Sequence, residues 1–159
     1  MDFTIREATK RDMAMVHGLI QELALFEKEP NSVEVTLEDL IDAGFGEKPL
    51  YNCFVAEADK EIVGMALVYP RYSTWQGPVL HLEDLIVTER MRGSGLGSAL
   101  LTEVVKYGYG LGVKRISWEV LDWNEPAIKF YESKGANVMR DWDVVQLNAE
   151  GIKRFIENT

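Results

Sequence analysis

The segment Arg92-Gly93-Ser94-Gly95-Leu96-Gly97-Ser98 places three glycines in five residues, between an apolar run ending at Val87 and a helical pattern opening near Leu96. Glycine reaches positive φ at little steric cost and lets a backbone come close to a ligand. Consecutive N–H groups at a helix start, helped by the helix dipole, form a cradle for an anion. The pattern points to phosphate binding. A nucleoside-triphosphate loop would end in Gly-Lys-Ser or Gly-Lys-Thr, and neither occurs. A dinucleotide fingerprint would need a glycine where Ser98 stands, followed by a longer doubly wound domain.

Just upstream stand two adjacent acids, Glu83 and Asp84. A carboxylate can attract an ammonium and accept its proton, directly or through water, although adjacent acids near a sheet are equally often solvated. On a regular strand the two would point to opposite faces; a bulge would upset that parity. No Ser-His-Asp or Cys-His constellation stands out. His17 and His81 lack metal-ligand spacing and read as structural. Cys53 is the only cysteine, which excludes an intramolecular disulfide and a cysteine-based zinc site, and no metal is expected.

The elements that must position these residues follow from periodicity and punctuation. Phe3 to Ile5, Cys53 to Glu57, Ile62 to Tyr69, Val79 to Val87, Ile116 to Leu121 and Val144 to Leu147 read as strands. Thr9 with Asp12, and Thr36 with Asp39, resemble capping boxes opening two helices, the second ending near Gly44. Ala58 to Glu61 is a tight turn and Tyr72 to Pro78 a loop. Leu96, Leu100, Leu101, Val104 and Val105 mark a third helix running out near Gly108 to Gly112. Pro126 to Lys134 and residues 149–157 form two short ones. The order predicts one mixed α/β (α+β) domain over residues 1–159, with helices on a mostly antiparallel sheet.

Charge bounds the partners. The formal charge of −9, with 47% hydrophobic and 27% charged residues, suits a globular protein and disfavours nucleic acid, which needs Lys and Arg to neutralise phosphates. Residues 22–47 hold eight acids against Lys28 alone, while residues 90–134 hold seven bases against five acids. That division suits a cationic and an anionic ligand, or simply two solvated helix faces. No apolar run approaches a membrane span and no signal-peptide core opens the chain, so no membrane association and a cytoplasmic location are the default expectations.

Arg92-Gly93-Ser94-Gly95-Leu96-Gly97 resembles the Arg/Gln-x-x-Gly-x-Gly/Ala signature of the GNAT acetyltransferases, with Arg92, Gly95 and Gly97 at its key positions. Asn124-Glu125-Pro126-Ala127, followed by Phe130-Tyr131 and Gly135, resembles the family's second signature. The interval between them fits one helix and one strand. Tyr51 to Glu57, Tyr72 to Gly77, Leu82-Glu83-Asp84 and Leu121 to Asn124 extend the likeness to the diamine acetyltransferase subgroup, which contains the spermidine/spermine and thialysine acetyltransferases. The Tyr72-Ser73-Thr74-Trp75 loop is more similar to the thialysine branch. In the polyamine branch an Asp is expected where Ser73 stands.

The resemblance implies a GNAT fold, acetyl-CoA as cosubstrate, a small-molecule amine as acceptor, direct attack in a ternary complex, and a homodimer. It assigns acetyl-CoA to Leu85, Ile86 and Val87, to Arg92, Gly93, Ser94, Gly95, Leu96, Gly97 and Ser98, and to Asn124, Pro126, Ala127 and Tyr131. It assigns the amine to Phe26, Glu27, Trp75 and Glu83, with Glu83 as base and Tyr131 as acid toward the sulfur. Other acceptors, such as an aminoglycoside or a protein N-terminus, stay open, as does a non-catalytic acyl-CoA-binding module.

Overall fold

The computed structural model describes residues 2–159, which form two compact units, one ending at Glu119 and the other Val120–Thr159. The first holds a five-stranded sheet in the order β1-β2-β3-β4-β5: β1 Thr4–Glu7, β2 Asn52–Ala58, β3 Glu61–Ser73, β4 Gly77–Val87 and β5 Ile116–Ser117. The first three pairings are antiparallel and the last, β4 with β5, is parallel. The fold is α+β, as expected.

Helix α1, Met13–Phe26, follows a single 3-10 turn at Lys10–Asp12. Asp12 Oδ2 accepts from Thr9 N at 2.7 Å and from Arg6 Nη1 at 2.7 Å, so one buried carboxylate pins the helix start to β1. The Arg6 hydrogen bond holds the Asp12 carboxyl down at about 2, against the opposing effect of burial. Helix α2, Leu37–Phe45, carries the second predicted capping box, with Asp39 N donating to Thr36 Oγ1 at 3.1 Å and Thr36 N to Asp39 Oδ2 at 2.9 Å.

Both helices pack on one sheet face, where Met13, Val16, Leu19 and Leu40 meet Cys53, Val55, Met65, Leu67 and Ile86. Helix α3, Leu96–Leu111, buries Leu96, Leu100, Leu101 and Val104. A Cβ on Gly64 of β3 would stand 3.0 Å from the Leu100 side chain and 3.0 Å from Ile86 O, so glycine is what lets α3 sit this close to the sheet.

The second unit holds α4, Glu125–Ser133, and α5, Ala149–Glu157, each opened by an asparagine cap. Three expectations change. Gly44 lies inside α2: a Cβ there would meet the Tyr51 ring at 2.4 Å, so it serves packing, and Gly46 is the cap. The strand expected at Ile116 to Leu121 pairs only at Ile116–Ser117. Val144 to Leu147 is not a strand, and Val145 is 93% exposed. Alternating apolar residues become a strand only where a neighbouring ladder is present, and none pairs with this segment among the described residues.

Candidate active site

The register of β3 against β4 slips by one residue at the acidic pair. Leu67 faces Asp84 and Val68 faces Leu82, which leaves Glu83 as the extra residue of a bulge. In a regular strand Glu83 and Asp84 would diverge, but the bulge turns both to the face of Leu67 and Tyr69. Glu83 Oε2 accepts the Tyr69 hydroxyl at 2.8 Å. Asp84 is buried enough that its carboxyl is pushed up to about 6, by desolvation first and then by the charges of Glu83 and Glu27. Glu27, the residue that caps α1, is itself raised by burial. Three carboxylates thus converge from two elements, an arrangement that repels itself unless a cation is present.

The other neighbours of Glu83 come from the same face. His81 Nε2 lies 3.6 Å from Glu83 Oε2, and its Nδ1 lies 3.0 Å from both Arg71 Nη1 and Ser117 Oγ. Burial first, then the Arg71 charge, lowers the imidazole's basicity. The Tyr69 hydroxyl is pushed up to about 12, by desolvation and then by the carboxylate it bonds, so it stays a donor at neutral pH.

Downstream of the bulge, β4 has an open side. β5 pairs with it only at Leu80 and His81, so from Leu82 to Val87 only β3 flanks it among the described residues. Backbone groups alternate in direction there: Thr88 N donates to Val63 O and Ile86 O faces β3 at Gly64, so Leu85 and Val87 turn theirs to the open side, where Arg92 takes up Val87 O. The strand runs into a 3-10 turn and then the glycine loop. Gly93 and Gly95 take φ of +79° and +88°, and α3 opens with no side-chain cap. Helices α2, α4 and α5 are each capped by a side-chain oxygen, whereas α1 continues a 3-10 turn and α3 starts from a glycine, both without a side-chain cap. That start suits a phosphate. A Cβ on Gly97 would make only ordinary contact with Val87, so the chain's own packing does not demand that glycine.

The loop is tied to α1. Arg92 Nε donates to Val87 O at 3.2 Å, and its guanidinium carbon lies 5.1 Å over the Phe26 ring. Glu22 accepts from Glu89 N at 2.9 Å and from the Thr88 hydroxyl. Phe26, expected at the amine, and Arg92, expected at the phosphates, are therefore in contact.

Trp75 is not gathered with them. It is 86% exposed at the tip of the β3–β4 hairpin, and the strand from Gly77 to Glu83 spans about 20 Å. Ser73 orders that tip, its Oγ accepting from Trp75 N, Gln76 N and Arg115 Nη2, each at 3.2 Å. In the second unit, Asn124 Oδ1 caps α4 by accepting from Ala127 N at 3.4 Å, which leaves the N–H donors of its amide. Tyr131 packs edge-on against Phe130, their centroids 5.4 Å apart.

Tyr69, Arg71, His81 and Ser117 were not singled out for chemistry in the sequence, and Asp84 was weighed only as the neighbour of Glu83 on the opposite face of a regular strand. The one available signal was His81 two residues before Glu83, a spacing that shares a strand face.

A five-stranded sheet with an open strand edge, a glycine-loop helix start and a carboxylate cluster on β4 are brought together in the first unit. The model of the Acetyltransferase (GNAT) family matches residues 17–136, and the chain belongs to that family as an N-acetyltransferase. It is 36% identical over 162 residues to the thialysine N-epsilon-acetyltransferase of Bos taurus, covering 95% of each chain. It is 34% identical to the human spermidine/spermine N(1)-acetyltransferase-like protein 1, covering 93% of this chain and 23% of that one. An integron cassette protein from the V. cholerae mobile metagenome superposes with a TM-score of 0.79 at 21% identity, over 99% of each chain, which shows the shared fold. Among the described residues no helix is long and apolar enough to cross a membrane, and no group of His, Cys, Asp and Glu could hold a metal ion.

Proposed function

We propose that the protein transfers an acetyl group from acetyl-CoA to a primary amine of a small cationic acceptor, in a ternary complex without a covalent enzyme intermediate. Acetyl-CoA supplies the acetyl group as a thioester. The open N–H groups at Leu96, Gly97 and Ser98, with Gly93, Ser94, Gly95 and Arg92, hold its pyrophosphate. The free edge at Leu85, Ile86 and Val87 holds its pantetheine arm. Asn124, with Pro126 and Ala127 behind it, fixes the same arm through its amide.

The observation that carries the acceptor is the convergence of Glu83, Asp84 and Glu27 on one face beside that edge. An alkyl ammonium with a pKa near 10.4 is free base in only about one molecule in two thousand at pH 7. Glu83 takes the first proton, the nitrogen bonds to the acetyl carbon, the carbon–sulfur bond breaks with the Tyr131 hydroxyl protonating the departing sulfur, and the second proton lost by the nitrogen restores the tyrosine hydroxyl, so that one proton in all leaves with Glu83. Phe26 closes the acceptor side through its contact with Arg92.

A thialysine-like amino acid heads the list of acceptors, because relatives of that name match nearly the whole chain, followed by diamines and polyamines. A homodimer belongs to this reading. Trp75 can offer its cation–π face to the Glu83 site only from a second copy. Exposed Val144, Val145, Leu147, Ile152, Phe155 and Ile156 give such a copy apolar surface to cover. A cytoplasmic location fits the single buried thiol of Cys53. The test is acetylation of spermidine, putrescine, thialysine, lysine and an aminoglycoside, followed by thiol release, with mass by light scattering. Acetyl-CoA binding without turnover on any amine would leave a non-catalytic module instead.

A further inference from the structure

Glu83 stands at a bulge with its side chain half exposed, where nothing in the backbone keeps the carboxylate from rotating into solvent. Two groups hold it, the Tyr69 hydroxyl and the His81 imidazole, and both address Oε2. Oε1 is therefore the oxygen left to meet an ammonium.

The state of His81 follows from its partners. A guanidinium only donates, so Nδ1, 3.0 Å from Arg71 Nη1, must carry the lone pair, and Ser117 Oγ stands 3.0 Å from the same nitrogen. A neutral imidazole so held bears its hydrogen on Nε2, the atom that faces Glu83 across 3.6 Å. At that distance the contact is charge–dipole rather than a full hydrogen bond. The ring is buried and packs on Tyr69 with centroids 5.3 Å apart, which fixes its plane. The strand register places Ser117 directly opposite His81.

We propose that His81 is a positioning residue for Glu83: anchored through Nδ1 by Arg71, it turns an N–H dipole on Oε2 and keeps the carboxylate aimed into the site. This rests on Glu83 being the amine base. The charged and titratable groups around the pair are Arg71 from β3, Glu119 beyond β5, and Tyr69, Asp84 and Glu27. Without the dipole the half-exposed carboxylate is free to rotate into solvent, away from the ammonium.

The test is kcat and KM for acetylation by the wild type, His81→Leu, His81→Gln, Glu83→Gln and the double variant His81→Leu/Glu83→Gln. Thermal melting and acetyl-CoA affinity report folding. His81→Leu is expected to lower kcat about three- to tenfold while the amine KM stays within about twofold. His81→Gln, whose amide N–H replaces Nε2–H, recovers most of the loss. In the Glu83→Gln background His81→Leu adds less than about twofold. Should His81→Leu fail to fold, Arg71→Met, at an exposed position, releases the anchor of the ring and is expected to lower kcat in the same sense. An unchanged kcat, or an equal loss in both backgrounds, overturns the proposal. Full activity of Glu83→Gln at every pH overturns the assignment of the base itself, and the positioning role with it.

Discussion

The Tyr69 hydroxyl donates to Glu83 Oε2 at 2.8 Å, across the pair of strands whose register slips at that residue. One oxygen of the carboxylate is thereby occupied and the other freed. The bond joins a residue outside both family signatures to the residue expected to take a proton from the amine.

Replacing Glu83 with Gln removes the proton acceptor and keeps the shape. At pH 7 kcat/KM is expected to fall about 100-fold, and the deficit to shrink as pH approaches 10, where the amine deprotonates unaided. Initial rates across that range decide it, and a constant ratio of variant to wild type would remove Glu83 as base.

Asp84 links the site to stability. Its carboxyl titrates near 6 when folded and near 3.9 when unfolded, so between those values the folded state binds more protons and stability falls as pH rises. Asp84→Asn removes that cost. The variant is expected to be more stable than the wild type by about 1–3 kcal/mol at pH 8, with the gain vanishing near pH 4. Urea titrations at the two pH values measure it; equal gains at both would contradict a desolvated carboxyl.

Asp12 gives the opposite sign. Its carboxyl is held at about 2 by Arg6, so its contribution is present above pH 4 and disappears as pH falls toward 2. Asp12→Asn is expected to cost about 2 kcal/mol at pH 7 and nearly nothing at pH 2. Thermal melts at both ends would expose a pH-independent loss, which would point to packing instead.

Gly95 at φ +88° starts α3, in the loop proposed to hold the pyrophosphate. Gly95→Ala is expected to lose roughly 1–2 kcal/mol of stability through left-handed strain. Tilting the first N–H groups should also weaken acetyl-CoA binding about tenfold by calorimetry. Unchanged affinity would place the phosphates elsewhere.

Tyr131→Phe keeps the ring that packs on Phe130 and removes only the hydroxyl. Turnover is expected to drop about 100-fold while acetyl-CoA affinity stays within about twofold. Parallel kinetics and calorimetry separate the two, and wild-type turnover would strip Tyr131 of its role.

Much of the fold was legible in the sequence because its signals are local. The Thr36–Asp39 capping box, the Asp59-Lys60 turn with φ of +50° and +66°, and the glycine-loop helix start depend on residues close together in the chain. Val144 to Leu147 misled because a strand needs a partner ladder, and apolar alternation does not say whether one exists.

By itself the sequence determined the family, the glycine cradle and the acidic character expected of the acceptor side. Only the tertiary structure decided which acids converge and what steadies them. Parity along a regular strand would have separated Glu83 from Asp84, and one extra residue in β4 put both on the face that α1 delivers Glu27 to. Likewise His81 reads as structural by spacing. Its Nδ1 faces Arg71 from a neighbouring strand and Ser117 from far along the chain, the contacts on which the Nε2–H form proposed above rests. A proton's position depends on donors and acceptors brought together through space, which spacing in a sequence does not encode.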